Sequence, residues 1–126
     1  MRKTASLILV ISTFYFYSCK KGTGDITLGI DVQSSFNNNN AKILVDGQQM
    51  IDQPLQTNYA LGVCPVDGQL VLIKNQGSHE LEVIVDNSIS KTETFSLNKP
   101  LYIGVNYNNQ TQAISFVYSN IRFIYD

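Results

Sequence analysis

The sequence predicts an all-β domain, an antiparallel β-sandwich of about seven to nine short strands. Three observations support this prediction. Beyond residue 24, no apolar pattern repeats at helical spacing over three turns, whereas period-two alternation of apolar and polar residues recurs. Asn, Gly, Asp and Pro separate the alternating segments at intervals of about ten residues, the spacing that is typical of sandwiches and small barrels.

Residues 26–32 form the first predicted strand. Every second residue from Ile26 to Val32 is apolar, and the residues between them are small or polar. We therefore expect one buried and one solvated face. The polar run at residues 34–40, which includes four consecutive asparagines, predicts a loop.

Residues 42–45 and 48–51 predict a hairpin. The Asp46-Gly47 dipeptide between them favours a two-residue turn, because both central positions of that turn need positive φ. Pro54 predicts the end of the pair, since proline has no N–H to donate to a neighbouring strand.

The next two segments are more apolar. Residues 59–66 predict a third segment, in which Pro65 requires an edge or a bulge. A second Asp-Gly, at Asp67-Gly68, precedes residues 70–74. Because these residues are apolar on both faces, they predict a central strand that is covered on both sides.

The second half of the chain alternates more regularly after a turn at residues 75–78. Leu81, Val83 and Val85, for example, alternate with Glu80 and Glu82, which predicts a strand with one inward face. The predicted strands are residues 79–85, 91–97, 101–107 and 112–118, and a last segment at residues 121–125 closes the domain.

Length and charge limit the function. The chain has 126 residues, with 9 Lys and Arg against 10 Asp and Glu. That is one small domain, too small for a multi-lobed catalytic scaffold. A formal net charge of −1 leaves no basic footprint, so we expect no nucleic-acid binding.

The N-terminus has the organisation of an export signal. Arg2 and Lys3 precede an apolar stretch at residues 5–18, which ends at Cys19. The stretch is shorter than the roughly 20 residues that a membrane-spanning helix needs, so it predicts a signal peptide. The expected organisation is a signal peptide at residues 1–18, a flexible tether at 19–24 and a β-sandwich at 25–126.

Residues 16–21, with the sequence Phe-Tyr-Ser-Cys-Lys-Lys, resemble the lipobox of bacterial lipoproteins. The resemblance implies cleavage before Cys19 and acylation of its thiol, and two or more acyl chains hold a domain on a membrane. The resemblance thus implies attachment to a membrane of the cell envelope, and the lack of an acidic cluster after Cys19 favours an outer-membrane position facing the periplasm. The alternative is an ordinary secretory signal and a soluble periplasmic protein.

Two further segments carry a second resemblance. Residues 43–47, with the sequence Ile-Leu-Val-Asp-Gly, and residues 77–83, with the sequence Gly-Ser-His-Glu-Leu-Glu-Val, resemble immunoglobulin-like and transthyretin-like modules of exported lipoproteins. The resemblance implies an immunoglobulin-like or transthyretin-like sandwich. It implies nothing about function, because one fold hosts many functions.

The residues that support catalysis elsewhere are sparse. His79 is the only histidine, which excludes a two-histidine zinc site, and we expect its ring to cover a turn. Cys64 lies in an apolar run and predicts a buried small side chain, although a thiol enzyme remains an alternative. We expect no metal, no cofactor and no catalytic residue.

Two further patterns are weak. Glu80 and Glu82 would share one strand face, where a solvated face is the simpler interpretation and a hydrolase carboxylate pair the alternative. Residues 88–91, with the sequence Ser-Ile-Ser-Lys, match the Ser-x-x-Lys of serine acylases. They fall in a predicted loop and lack the helical turn that this chemistry requires.

Tyr102 and Asn106 are the candidate ligand-binding residues. Tyr102 is out of phase with Ile103 and Val105, so it faces outwards if those two face the core. An exposed tyrosine beside small and amide side chains can stack a sugar or anchor a protein contact. Covering a neighbouring strand is the alternative.

We therefore expect a non-catalytic binding or accessory module, held on a membrane by its lipid. The expected partner is an envelope protein or a polysaccharide. Tethering would raise the effective concentration of the domain near such partners. The alternatives are a small periplasmic inhibitor or immunity-type protein that inserts the loop at residues 34–40 into an enzyme cleft, and a hydrolase or thiol enzyme.

Overall fold

The computed structural model describes residues 24–125, and these form an all-β sandwich of eight strands. The predicted signal peptide and the predicted lipidation site, Cys19, lie outside the described residues. The strands are β1 (Asp25–Val32), β2 (Asn37–Val45), β3 (Gln48–Gln56), β4 (Gln69–Asn75), β5 (Gly77–Val85), β6 (Ile89–Leu97), β7 (Leu101–Asn108) and β8 (Ala113–Ser119). No helix within residues 24–125 is long and apolar enough to cross a membrane.

The strands form two four-stranded sheets. Sheet I has the order β4-β1-β7-β8, and sheet II has the order β3-β2-β5-β6. All pairs are antiparallel except β1 with β7, which are parallel. The predicted β-sandwich is confirmed. The strand order differs from that of immunoglobulin constant domains, whose sheets are ABED and CFG.

The core lies between the two sheets and follows the predicted alternation. Fully buried aliphatic side chains from both sheets meet there, and each stabilises the fold by about 1.5–3 kcal/mol relative to an exposed position. The largest of them are Leu28, Ile30, Ile43, Leu81, Leu97 and Ile103, together with the aromatic ring of Phe36.

The loop predicted at residues 34–40 is wrong in its second half. The asparagines begin β2, and the connection between β1 and β2 is only residues 33–36. Asn38 has a φ of 59° and lies at a register shift between Asn37 and Asn39, so it forms a bulge. Polar residues are tolerated there because their side chains are solvated, whereas Phe36 before them is buried.

Two predictions around β3 are also wrong. Pro54 does not end the hairpin but pairs with Asn40 inside β3, because β3 is an edge strand and needs no N–H on its outer side. Residues 59–66 form turns rather than a strand. Gly62 and Val66 have positive φ values of 80° and 66° there, which a strand does not accommodate.

The strand at residues 70–74 exists, but it is not central. β4 is an edge of sheet I, and its second apolar row is in solvent, with Val71 63% and Ile73 60% exposed. The sequence pattern predicted cover on both faces, and only the inner face has it. The last predicted segment, at residues 121–125, does not form a strand.

The hairpin turn at Asp46-Gly47 is confirmed, with φ values of 52° and 79°. It lies at the same end of the sandwich as the start of β1, where Asp25 pairs with Asn75. We call this end the tether end, because the chain enters the domain there. The loop end, opposite, holds the connections at residues 33–36, 57–68, 86–88 and 109–112.

Candidate functional site

A groove of about 490 Å³ opens at the loop end, within the usual size range of small-molecule sites. Its wall comes from the β1–β2 connection, the end of β7, the β7–β8 turn and β8. None of the lining side chains is charged. They are Ser34, Ser35, Asn106, Tyr107, Asn108, Asn109, Gln110 and Ser115.

The two loops that form the groove are fixed by amide side chains. Asn108 Oδ1 accepts hydrogen bonds from the N–H groups of Gln110 at 2.9 Å and Thr111 at 3.1 Å, which is the local turn that asparagine favours. Asn109 Nδ2 donates to the carbonyl of Ser35 at 2.6 Å. The β7–β8 turn is therefore joined directly to the β1–β2 connection.

Asn106 joins the groove wall from within β7. Its Oδ1 accepts hydrogen bonds from the N–H of Ser34 at 3.0 Å and from the Ser34 hydroxyl. Its Nδ2 donates to Oε1 of Gln33 at 3.0 Å. Because these bonds occupy both ends of the amide, Asn106 shapes the wall and has one amide hydrogen left for a ligand.

Tyr102 lies elsewhere. It faces outwards on sheet I, and its ring packs onto Gly29 of the neighbouring strand. It is half-buried and is not part of the groove lining. Asn106 is four positions further along the strand, about 13 Å away at 3.3 Å per residue. The structure does not bring the two candidates into one site.

Sequence reasoning missed most of the groove. The sequence predicts a loop at Ser34 and Ser35 and a turn at residues 108–110, but no link between them. The signal that connects them is topology, because β1 and β7 are parallel neighbours whose carboxyl ends meet at the loop end. No spacing rule in the sequence reveals a parallel pair seventy residues apart.

Cys64 is buried, as predicted. Its thiol lies 3.6 Å from the Thr57 hydroxyl, and burial raises the pKa of the thiol despite that hydrogen bond. A reactive cysteine needs a lowered pKa and access to solvent. Cys64 contributes to a second cavity of about 240 Å³, yet it is only 1% exposed. This geometry does not support a thiol enzyme.

His79 covers the turn at the tether end, as predicted. Its Nδ1 lies 2.7 Å from Oδ2 of Asp46, and its Nε2 lies 2.6 Å from the carbonyl oxygen of Asn75. The ring therefore joins the Asp46 side chain to the backbone of β4. Lys74 Nζ adds an ion pair to the same Asp46 oxygen at 3.1 Å.

The Asp46 carboxylate is the anion of this cluster. Burial raises its pKa, but the hydrogen bonds from the N–H of Glu80, from His79 and from Lys74 outweigh burial and hold the pKa below its ordinary value. The cluster ties the β2–β3 turn of sheet II to β4 of sheet I. We interpret it as a structural clamp.

The remaining patterns do not converge on a site. Glu80 and Glu82 share the outer face of β5, as expected. Ser88 lies in the β5–β6 turn, and Lys91 lies in β6 with its Nζ 3.4 Å from Glu93 Oε2, so the two lack the helical geometry of serine acylases. Among residues 24–125, no group of three His, Cys, Asp or Glu is placed to hold a metal ion.

No protein-family model matches the chain, and the searches of curated proteins and of solved structures likewise find no match.

Proposed function

We propose that the protein is a lipid-anchored, non-catalytic binding module of the bacterial cell envelope. Its acylated Cys19 holds the tether end near the membrane, and its groove binds an uncharged polysaccharide at the loop end. The single observation that carries this proposal is the placement of an uncharged polar groove at the end of the sandwich opposite to the point where the tether enters.

The placement follows from β1. The tether enters at Gly24, whose carbonyl accepts a hydrogen bond from the N–H of Gln76 at 3.0 Å. The five Cα–Cα steps from Cys19 to Gly24 reach at most about 18 Å. β1 then runs for 8 residues, about 26 Å, to the loop end. A lipid on Cys19 would thus leave the groove facing away from the membrane.

The chemistry of the lining supports an uncharged ligand. Hydroxyls of Ser34, Ser35 and Ser115 and amides of Asn109 and Gln110 offer both donors and acceptors, and no charged side chain lines the groove. An anionic ligand would find no cation there, and a cationic one no carboxylate. Sugar hydroxyls match such a surface because they donate and accept at once.

The anchor is tested first by metabolic labelling with a fatty-acid analogue. We expect the full chain to take up label and to fractionate with membranes, and Cys19→Ala to do neither. Cys64→Ala is the matched control, because it also removes a thiol but leaves the lipobox intact. Membrane association that persists in Cys19→Ala, or an unlabelled wild type, contradicts the anchor.

The ligand is tested by titrating neutral envelope polysaccharide fragments into the isotopically labelled full chain in detergent. We expect chemical-shift changes at residues 34–35 and 106–110, and at least a tenfold loss of affinity, about 1.4 kcal/mol, in Ser115→Arg. Thr92→Arg places the same side chain at an exposed position on β6 and serves as the control. Binding that both variants retain equally would exclude the groove.

An envelope protein is the alternative partner, and crosslinking tests it. If groove residues crosslink to an envelope protein and no glycan fragment binds, the ligand of the groove is a protein. The inhibitor alternative has a shorter loop to insert, residues 33–36, since residues 37–40 belong to β2.

A further inference from the structure

The chain beyond β8 returns across the outer face of sheet I. β8 is the edge strand next to β7, and Ser119 at its end pairs with Tyr102 near the tether end. Residues 120–125, which we call the strap, then cross β7. The Tyr125 hydroxyl donates to Oδ2 of Asp31 on β1 at 2.7 Å. The strap thus spans from one edge of the sheet to an inner strand.

Tyr125 begins a continuous series of hydrogen bonds. Its hydroxyl oxygen accepts from Nε2 of Gln33 at 3.0 Å. Oε1 of the same Gln33 accepts from Nδ2 of Asn106 at 3.0 Å. Oδ1 of Asn106 in turn accepts from the N–H of Ser34 at 3.0 Å. The series therefore ends on two residues that line the groove.

Gly104 explains why Gln33 adopts this position. The Gln33 amide occupies the space into which a Cβ atom at Gly104 would project. Glycine thus provides a flat place on β7 against which the amide lies, between Tyr125 on one side and Asn106 on the other. A side chain at position 104 would displace the amide without any substitution in the strap.

The Tyr125 hydroxyl is suited to its role as a donor. Burial and the neighbouring Asp31 carboxylate raise its pKa to about 12, although the Gln33 hydrogen bond opposes them. The hydroxyl therefore keeps its proton at neutral pH and donates it to Asp31. With its proton directed to Asp31, the oxygen is left as an acceptor, which orients the Gln33 amide with its NH₂ towards Tyr125 and its oxygen towards Asn106.

We propose that Tyr125 is a positioning residue of the groove, which acts through Gln33 and Asn106 to fix the Ser34 wall. The expected effect of Tyr125 on ligand affinity rests on the proposed function. The positioning itself does not, because it is measurable without any ligand. Tyr125 does not line the groove, so its effect is transmitted by hydrogen bonds alone.

The test is Tyr125→Phe in the full chain in detergent, measured by residue-resolved amide hydrogen exchange. We expect amide exchange at Ser34 to accelerate at least about tenfold. Without the Tyr125 hydroxyl, the Asn106 amide is held less firmly, so the Ser34 N–H bond to it opens more often. Tyr118→Phe is the matched control. Its hydroxyl also donates to a carboxylate, that of Glu93, but Tyr118 neither lines the groove nor bonds to Gln33 or Asn106, so we expect exchange at Ser34 to stay unchanged.

A second variant separates positioning from general destabilisation. Gly104→Ala displaces Gln33 with Tyr125 intact, and we expect the same increase at Ser34. Unchanged exchange at Ser34 in both variants overturns the proposal. So does acceleration that is equal at the tether end, for example at Glu80, because a positioning residue alters the groove and not the whole fold.

The glycan titration distinguishes this proposal from the proposed function. If the wild type binds a fragment, we expect Tyr125→Phe to weaken binding about tenfold at an unchanged unfolding midpoint. Equal affinity of the two proteins overturns the positioning role. If the wild type binds no fragment, the proposed ligand is wrong, and hydrogen exchange at Ser34 still decides whether Tyr125 positions the wall.

Discussion

The ring of Tyr102 packs directly onto the backbone of Gly29. A Cβ atom at Gly29 would lie 2.5 Å from Cδ1 and 3.0 Å from Cε1 of that ring. The two residues are register partners in the parallel pair of β1 and β7. The contact explains why Tyr102 faces outwards yet is half-buried, and it favours the alternative that the ring covers a neighbouring strand.

We therefore expect Gly29→Ala to displace the Tyr102 ring from its contact with residue 29. Overpacking of this kind costs about 1–3 kcal/mol of unfolding free energy, to be measured by urea denaturation. The double variant Gly29→Ala/Tyr102→Ala removes the clash and should be less destabilised than the sum of the two single changes. Strict additivity would show that the two residues do not interact.

Asp46 should make stability depend on pH in the acid range. Its pKa is lower in the folded state than the ordinary 3.8. A carboxyl with a lowered folded pKa contributes stability above its unfolded pKa, and this contribution is lost as the pH falls through the folded pKa. The contribution is below about 1 kcal/mol, since the side chain is one-third exposed and solvent screens it.

Asp46→Asn isolates this contribution. Asparagine retains the turn, because it tolerates positive φ, and the other carboxyls cancel in the difference between wild type and variant. We expect the wild type to be the more stable protein at pH 7 and the difference to vanish as the pH falls below 3.8. A difference that grows on acidification contradicts the assigned hydrogen bonds.

Cys64 should resist thiol reagents in the folded protein. In Cys19→Ala it is the only cysteine left, so labelling reports on it alone. Because its thiol is buried and its pKa is raised, we expect iodoacetamide to react at least about a thousandfold more slowly than in denaturant, through rare opening. Labelling at the unfolded rate would return the thiol enzyme to consideration.

The parts of the fold that follow from the sequence are those set by local chemistry. The turn at Asp46-Gly47 and the alternation of β1, β5 and β7 depend on residues that are adjacent in the chain, and they were predicted. The sequence does not predict the bulge at Asn38. In a run of four asparagines, nothing distinguishes the residue that lacks a partner in the neighbouring strand.

The groove depends on non-local pairing. Ser34 and Asn106 are 72 positions apart, and they meet because β1 and β7 are parallel neighbours. An alternation pattern identifies strands but not their partners, so it indicates that Asn106 shares a face with Tyr102 but not that it belongs to the groove wall. The same limit explains β4, whose apolar residues on both faces predicted a central place in the sheet.

The exposed row of β4 gives the last prediction. Ile73 is 60% exposed and pairs with Thr27 on the outer face of sheet I, whereas Ile103 of β7 is fully buried. Ile73→Thr should change the unfolding free energy by no more than about 0.5 kcal/mol, since threonine is also β-branched and meets another threonine. Ile103→Thr should cost about 2–4 kcal/mol, because it leaves a cavity and buries a hydroxyl. Urea denaturation at two protein concentrations measures both. A loss above about 1 kcal/mol for Ile73→Thr that grows with protein concentration would show that a second copy covers this face in solution.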